Sequence, residues 1–160
     1  MLAAFDPVVC EGERNRTAAG QRRLLLSGKA ALISIGRDCA YRVRVTDGEL
    51  TPLERQHLES GSIEVGLEVT SGQVYVGGDS PPGYPEDFYD GGVGQIVAVP
   101  RGTYRITAHS IDVPRRLRKE LPDFVLTLAP ITERLTLRAS SLEDPFDGTK
   151  REVLPNRLGA

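Results

Sequence analysis

Apolar and polar positions alternate along several stretches of the chain, and that alternation predicts strands. In "AYRVRVT", Tyr41, Val43 and Val45 fall on one side and Arg42, Arg44 and Thr46 on the other. Successive strand side chains point to opposite faces, so this pattern marks a half-buried strand. In "SIEVGLEVTSGQVYVGG", Ile63, Val65, Leu67 and Val69 share one face, and Glu64 and Glu68 the other. A two-residue turn at Ser71-Gly72 sets Val69 opposite Val74 and Leu67 opposite Val76. A hairpin is predicted there, with Gly72 supplying the positive φ of a tight turn. "VAVPRGTYRI" repeats the pattern 30 residues on: Gly102 matches Gly72, Tyr104 matches Val74 and Ile106 matches Val76. It predicts a second hairpin, with Pro100 inside the turn because it cannot donate to a ladder.

"FVLTLAP" and "RLTLRAS" read as two further strands, and an edge strand is expected near Val153-Leu154. "RRLLLSGKAALISIG" gives two short apolar runs around Ser27-Gly28. The good helix signal is "LTPLERQHLESG": Thr51 as cap, Pro52 at the first position, Glu54 closing a capping box, and Gly61 placed to end it. The pattern predicts an all-β, mainly antiparallel fold. It is a β-sandwich, jelly-roll-like or a small barrel of about eight or nine strands, with one short helix near 52–59. Long helices for parallel crossovers are missing from the pattern. The 160 residues fit a single β domain, 1–160, with 11–20 and 141–160 expected to be loosely ordered.

Charge narrows the partners. Twenty basic residues face 22 acidic ones, for a net charge of −2, which argues against a nucleic-acid binder. The run "PRRLRK" carries Arg115, Arg116, Arg118 and Lys119, but Glu120 and Asp123 follow and no aromatic interleaves. It reads as a solvated surface connection. Cys10 and Cys39 make no disulfide framework and are expected as reduced thiols. The opening "MLAAFDPVVCEGERNR" lacks a basic n-region and is broken by Asp6 and Pro7, so it is not read as a secretory signal. No apolar run reaches membrane-spanning length. The expectation is a cytoplasmic protein without a membrane partner.

Chemical motifs are scarce. "GGVGQIV" lacks the third glycine and the following helix of a dinucleotide loop. His57 and His109 are the two histidines, with no His-x-His pair and no metal ligand set. No G-x-S-x-G elbow occurs, and His109 and Ser110, as strand neighbours, point to opposite faces. A thiol nucleophile would need Cys10 or Cys39 beside a histidine. No catalytic residue, metal or cofactor is assigned.

The compositionally odd segment is 77–92, "GGDSPPGYPEDFYDGG", with three prolines, five glycines, three aromatics and four carboxylates. Long irregular loops on a rigid sheet are common binding elements, and Tyr and Phe are enriched at interface cores. The candidate binding residues are Tyr84, Glu86, Asp87, Phe88, Tyr89 and Asp90. The leading expectation is a non-enzymatic protein-interaction module, of inhibitor or immunity type, whose acidic loop suits a basic partner. The alternative is a small-ligand or carbohydrate-binding domain, or a hydrolase using Asp87 and Asp90 with the aromatics stacked on a sugar. A third reading is a homo-oligomer closed by this loop or by the tail. The string Val99–Ile106, Val-Pro-x-Gly-x-Tyr-x-Ile, resembles the second strand pair of small bacterial β proteins, among them toxin-immunity proteins and the competence J nuclease inhibitors. It is short and shaped by turn rules, and assigns no family.

Overall fold

The structure is a computed structural model and describes residues 2–10, 18–33, 41–78, 94–132, 135–136 and 157–158. In chain order the elements are β1 (Leu2–Phe5), α1 (Pro7–Cys10), α2 (Ala18–Leu26), β2 (Ala30–Ile33), β3 (Val43–Thr46), α3 (Pro52–Gln56), β4 (Leu58–Val69) and β5 (Gln73–Gly78). They continue with β6 (Gly94–Ala98), β7 (Gly102–Ile111), a 3-10 turn (Arg115–Leu117), β8 (Phe124–Ile131), β9 (Leu135–Thr136) and β10 (Arg157–Leu158). Two four-stranded sheets, β2-β1-β5-β6 and β3-β8-β7-β4, make an open sandwich-like all-β fold, and β9 pairs with β10. Pairing is antiparallel except where β3 runs parallel to β8.

Neither predicted hairpin forms. β4 pairs with β7 in one sheet and β5 with β6 in the other, so the chain changes sheets at both supposed turns. Yet the register does not break. Val69 faces Gly102 and Gln73 faces Ala98, paired numbers that total 171 in both sheets. From Ser62/His109 to Gly77/Gly94 the four strands are therefore one long antiparallel ribbon, bent where residues 70–72 run beside 99–101. Across the bend, the Val99 amide donates to the Gly72 carbonyl at 3.1 Å. Gly72 has φ +87°, so the expected positive φ is present but serves a bend rather than a reversal.

The ribbon also accounts for the 30-residue repeat. Each of its strands crosses between the sheets once, through Val69-Thr70-Ser71-Gly72 and Val99-Pro100-Arg101-Gly102. The two crossings are related by a local twofold, which exchanges the Val69–Gly102 pair with the Gly72–Val99 position. Both valines are buried, as are Val74, Val76, Tyr104 and Ile106 beyond them.

Between the sheets lies the main core, with Ala4, Ile33, Val65, Leu67, Val74, Ile106 and Leu126 among its members. The alternation therefore gives the right buried face for these strands, while their partners are different. A second core lies on the far side of the first sheet, where Leu24 and Leu25 pack with Phe5, Cys10, Ala30 and Tyr75. These leucines belong to α2, a helix the sequence pattern does not reveal: it has nine residues and no acidic first turn. Part of the predicted 11–20 arm, Ala18–Gly20, belongs to it as well.

The predicted helix forms as α3, with the full capping box: the Glu54 amide donates to Thr51 Oγ1 at 3.2 Å and the Thr51 amide to Glu54 at 2.7 Å. It stops at Gln56 rather than at Gly61. Gly61 (φ +104°) instead lies in the register shift of β4 between Leu58 and Ser62. The expected edge strand at Val153-Leu154 lies outside the described residues.

Candidate functional site

All six candidate residues, Tyr84, Glu86, Asp87, Phe88, Tyr89 and Asp90, lie outside the described residues. What is described is the stem that carries them. Gly77 pairs with Gly94 as the last rung of the ribbon, so segment 79–93 leaves and re-enters the sheet at adjacent positions. The stem is anchored by Tyr75, which stacks on Phe5 with ring centroids 4.9 Å apart and planes tilted by 32°. Its ring lies where a β-carbon at Gly94 would be, so position 94 accepts only glycine without rearrangement.

The outer face of the second sheet is the other polar concentration. Thr46, Thr127, Thr107 and Glu64 form one cross-strand row, flanked by His109 on one side and Arg105 on the other. The threonines, His109 and Arg105 are half-buried. A cleft of ≈ 370 Å³ opens here, lined by Asp47, Glu49, Leu50, Arg55, His109 and Thr127, among others. Burial lowers the His109 pKa, against the opposing pull of Glu54 and Glu64, so the imidazole favours its neutral form. Among the described residues, its enclosed Nδ1 makes no hydrogen bond, and the enclosed Arg105 Nε has only the Glu64 carboxylate at 3.8 Å as an ion-pair partner.

One end of this face is covered by α3, fastened through an ion pair. Arg44 Nε and Nη2 donate to the two oxygens of Glu54 at 2.7 and 2.6 Å. Glu54 is 2% exposed. Burial alone would raise its pKa, but the hydrogen bonds from Arg44 and Thr51 and the Arg44 charge outweigh that and hold the carboxyl below its ordinary range.

The nucleophile candidates have other partners. Ser110 donates to the Glu59 carboxylate, not to His109. Cys10 is fully buried, donates to the Lys29 carbonyl at 3.3 Å, and its pKa is pushed up to about 12 by burial and the nearby Asp6 charge. Such a thiol stays protonated and unreactive near neutrality. His57 caps the C-terminus of α3. Cys39 lies outside the described residues. Among the described residues, no group of three His, Cys, Asp or Glu could hold a metal ion.

Sequence reasoning passed over Asp6, noting it only as a break in an apolar run. It is 0% exposed. One oxygen accepts from the Thr70 and Ser71 amides, each at 2.7 Å, at the ribbon bend. The other accepts from the Val8 and Val9 amides at 3.1 and 3.3 Å, in α1. Burial would raise its pKa, and these bonds bring it below the ordinary value. The available signal was Asp-Pro ahead of a short apolar run, the signature of a helix start.

No family model and no curated protein matches the chain. It is similar to a solved structure of a protein named crocagin biosynthetic gene J, with TM-score 0.53 and 20% identity, covering 81% of this chain and 89% of that one. The likeness is one of fold. Among the described residues no helix is long and apolar enough to cross a membrane.

Proposed function

We propose that this protein is a non-enzymatic interaction module, cytoplasmic and of inhibitor or immunity type, that engages another protein through segment 77–92. The observation that carries the reading is the stem. Gly77 and Gly94 are the paired end of a ribbon built into both sheets, so the aromatic, acidic segment springs from a rigid support. An ordered stem holds both ends of the segment at one place on the sheet. Four carboxylates with no basic residue between them favour a basic partner surface.

The test compares wild type with Asp87→Ala/Phe88→Ala. Affinity capture followed by calorimetry on the purified partner should show specific binding that the double variant loses, with the melting temperature unchanged. Equal binding by both proteins would remove the loop from the reading. A second reading, a small-ligand or carbohydrate-binding domain, rests on the cleft at His109, a wide-open depression of ≈ 370 Å³. A thermal-shift screen with sugars tests it: stabilisation that grows with ligand concentration and is lost in His109→Ala supports this reading.

A further inference from the structure

We infer that the 3-10 turn and its flank, Arg115 to Lys119, form a second docking surface, one that takes a carboxylate-rich segment of another protein. Arg115, Arg116, Arg118 and Lys119 are all exposed. Among the described residues, none of the four enters an ion pair or a side-chain hydrogen bond. The sequence places acids beside them, but among the described residues none of those acids forms an ion pair with the run. Asp123 accepts from the Arg42 amide at 2.8 Å. Asp112 and Glu120 are exposed and form no ion pair with the turn. Arg42, itself exposed, reaches the same turn and donates to the Leu121 carbonyl.

The platform beneath these cations is rigid. Leu117 N donates to Pro114 O at 2.8 Å, and Glu120 N and Leu121 N both donate to Leu117 O at 2.9 Å. Leu121 is 2% exposed and packs with Ile111 and Val125, with Leu117 and Leu53 against them. The backbone that presents the guanidinium groups is therefore ordered before a partner arrives, and only the side-chain tips remain to be fixed.

Guanidinium forks pair with carboxylates through two parallel hydrogen bonds. The footprint is a single turn, bounded by the carboxylates of Asp112, Glu120 and Asp123. No aromatic stands within 112–123 to stack a base. A short acidic peptide or helix face fits the footprint. The surface lies beyond the Ser62/His109 end of the ribbon, while segment 79–93 leaves from the Gly77/Gly94 end.

The probe is a fluorescein-labelled decaglutamate peptide, read by anisotropy at about 50 mM salt, where screening is weak. A single-stranded oligonucleotide of equal charge serves as competitor. Wild type should bind decaglutamate, and Arg115→Ala/Arg116→Ala/Arg118→Ala/Lys119→Ala should weaken binding roughly tenfold or more without moving the melting temperature. Arg101→Ala, exposed and at the ribbon bend, should leave it unchanged, as should Asp87→Ala/Phe88→Ala, which separates this surface from the one proposed above. Undiminished binding by the quadruple variant, no binding by wild type, or tighter binding of the oligonucleotide than of decaglutamate would each overturn the assignment.

Discussion

The two sheets of this sandwich share a ribbon but treat their outer faces in opposite ways. Behind the first sheet, α1 and α2 close over Phe5, Cys10, Leu24, Leu25 and Tyr75, and the face is dry. Behind the second, among the described residues, α3 covers one end, and the rest is a half-buried polar row with a cleft at His109. Each face is secured by one buried carboxylate. Asp6 ties α1 to the ribbon bend through backbone amides, while Glu54 ties α3 to β3 through Arg44. The dry face is committed to stability. The polar face holds the Arg105–Glu64 ion pair and, among the described residues, a His109 Nδ1 without a hydrogen bond, and that is where a ligand gains contacts.

The contrast can be broken most severely at the carboxylates. Asp6→Ala leaves the Thr70, Ser71, Val8 and Val9 amides without their buried acceptor, although Val8 and Thr70 are themselves exposed. A loss of about 2–4 kcal/mol is expected in urea unfolding. Glu54→Gln keeps the cap geometry but removes the charge facing Arg44. Because Arg44 is 33% exposed, the expected loss is smaller, about 2–3 kcal/mol. An Asp6→Ala protein as stable as Glu54→Gln would deny the bend its central role.

Gly94→Ala probes the dry face alone. A β-carbon there meets the Tyr75 ring, and overpacking of this kind costs about 1–3 kcal/mol. The same change should shift the loop stem, so thermal melts and partner binding should fall together.

The smallest effect is a pH slope belonging to the polar face. The folded state holds His109 below its ordinary value of 6.5, so the unfolded chain takes up a proton first as pH falls. Stability is therefore complete above that value and declines below it through the lowered folded pKa. His109→Gln should flatten the decline in urea midpoint between about pH 7 and 5. The steeper loss at lower pH should remain, because Asp6 and Glu54 are held below 3.8 and 4.5 and lose their contribution only as they protonate. A variant with an unchanged slope near pH 6 would remove His109 from the titration.

The sequence by itself determined which side of β4 and β7 is buried, because alternation reports a face and nothing else; β5 turns out to be buried on both faces, with Val74 and Val76 in one core and Tyr75 in the other. It also determined α3, since Thr51, Pro52 and Glu54 act on the helix start within one turn. What a strand pairs with is invisible to alternation: Val69 and Val74 point into the core whether the chain reverses at Gly72 or bends there. Only the tertiary structure decided for the bend, through Asp6, which lies 64 residues from Thr70 in sequence and takes the amides that define the crossing. The same limit applied to α2, whose burial depends on Phe5 and Tyr75 arriving from distant strands. It applied as well to the basic turn, where Asp123 accepts from the distant Arg42 amide. Local chemistry was legible, and long-range partnership was set by packing.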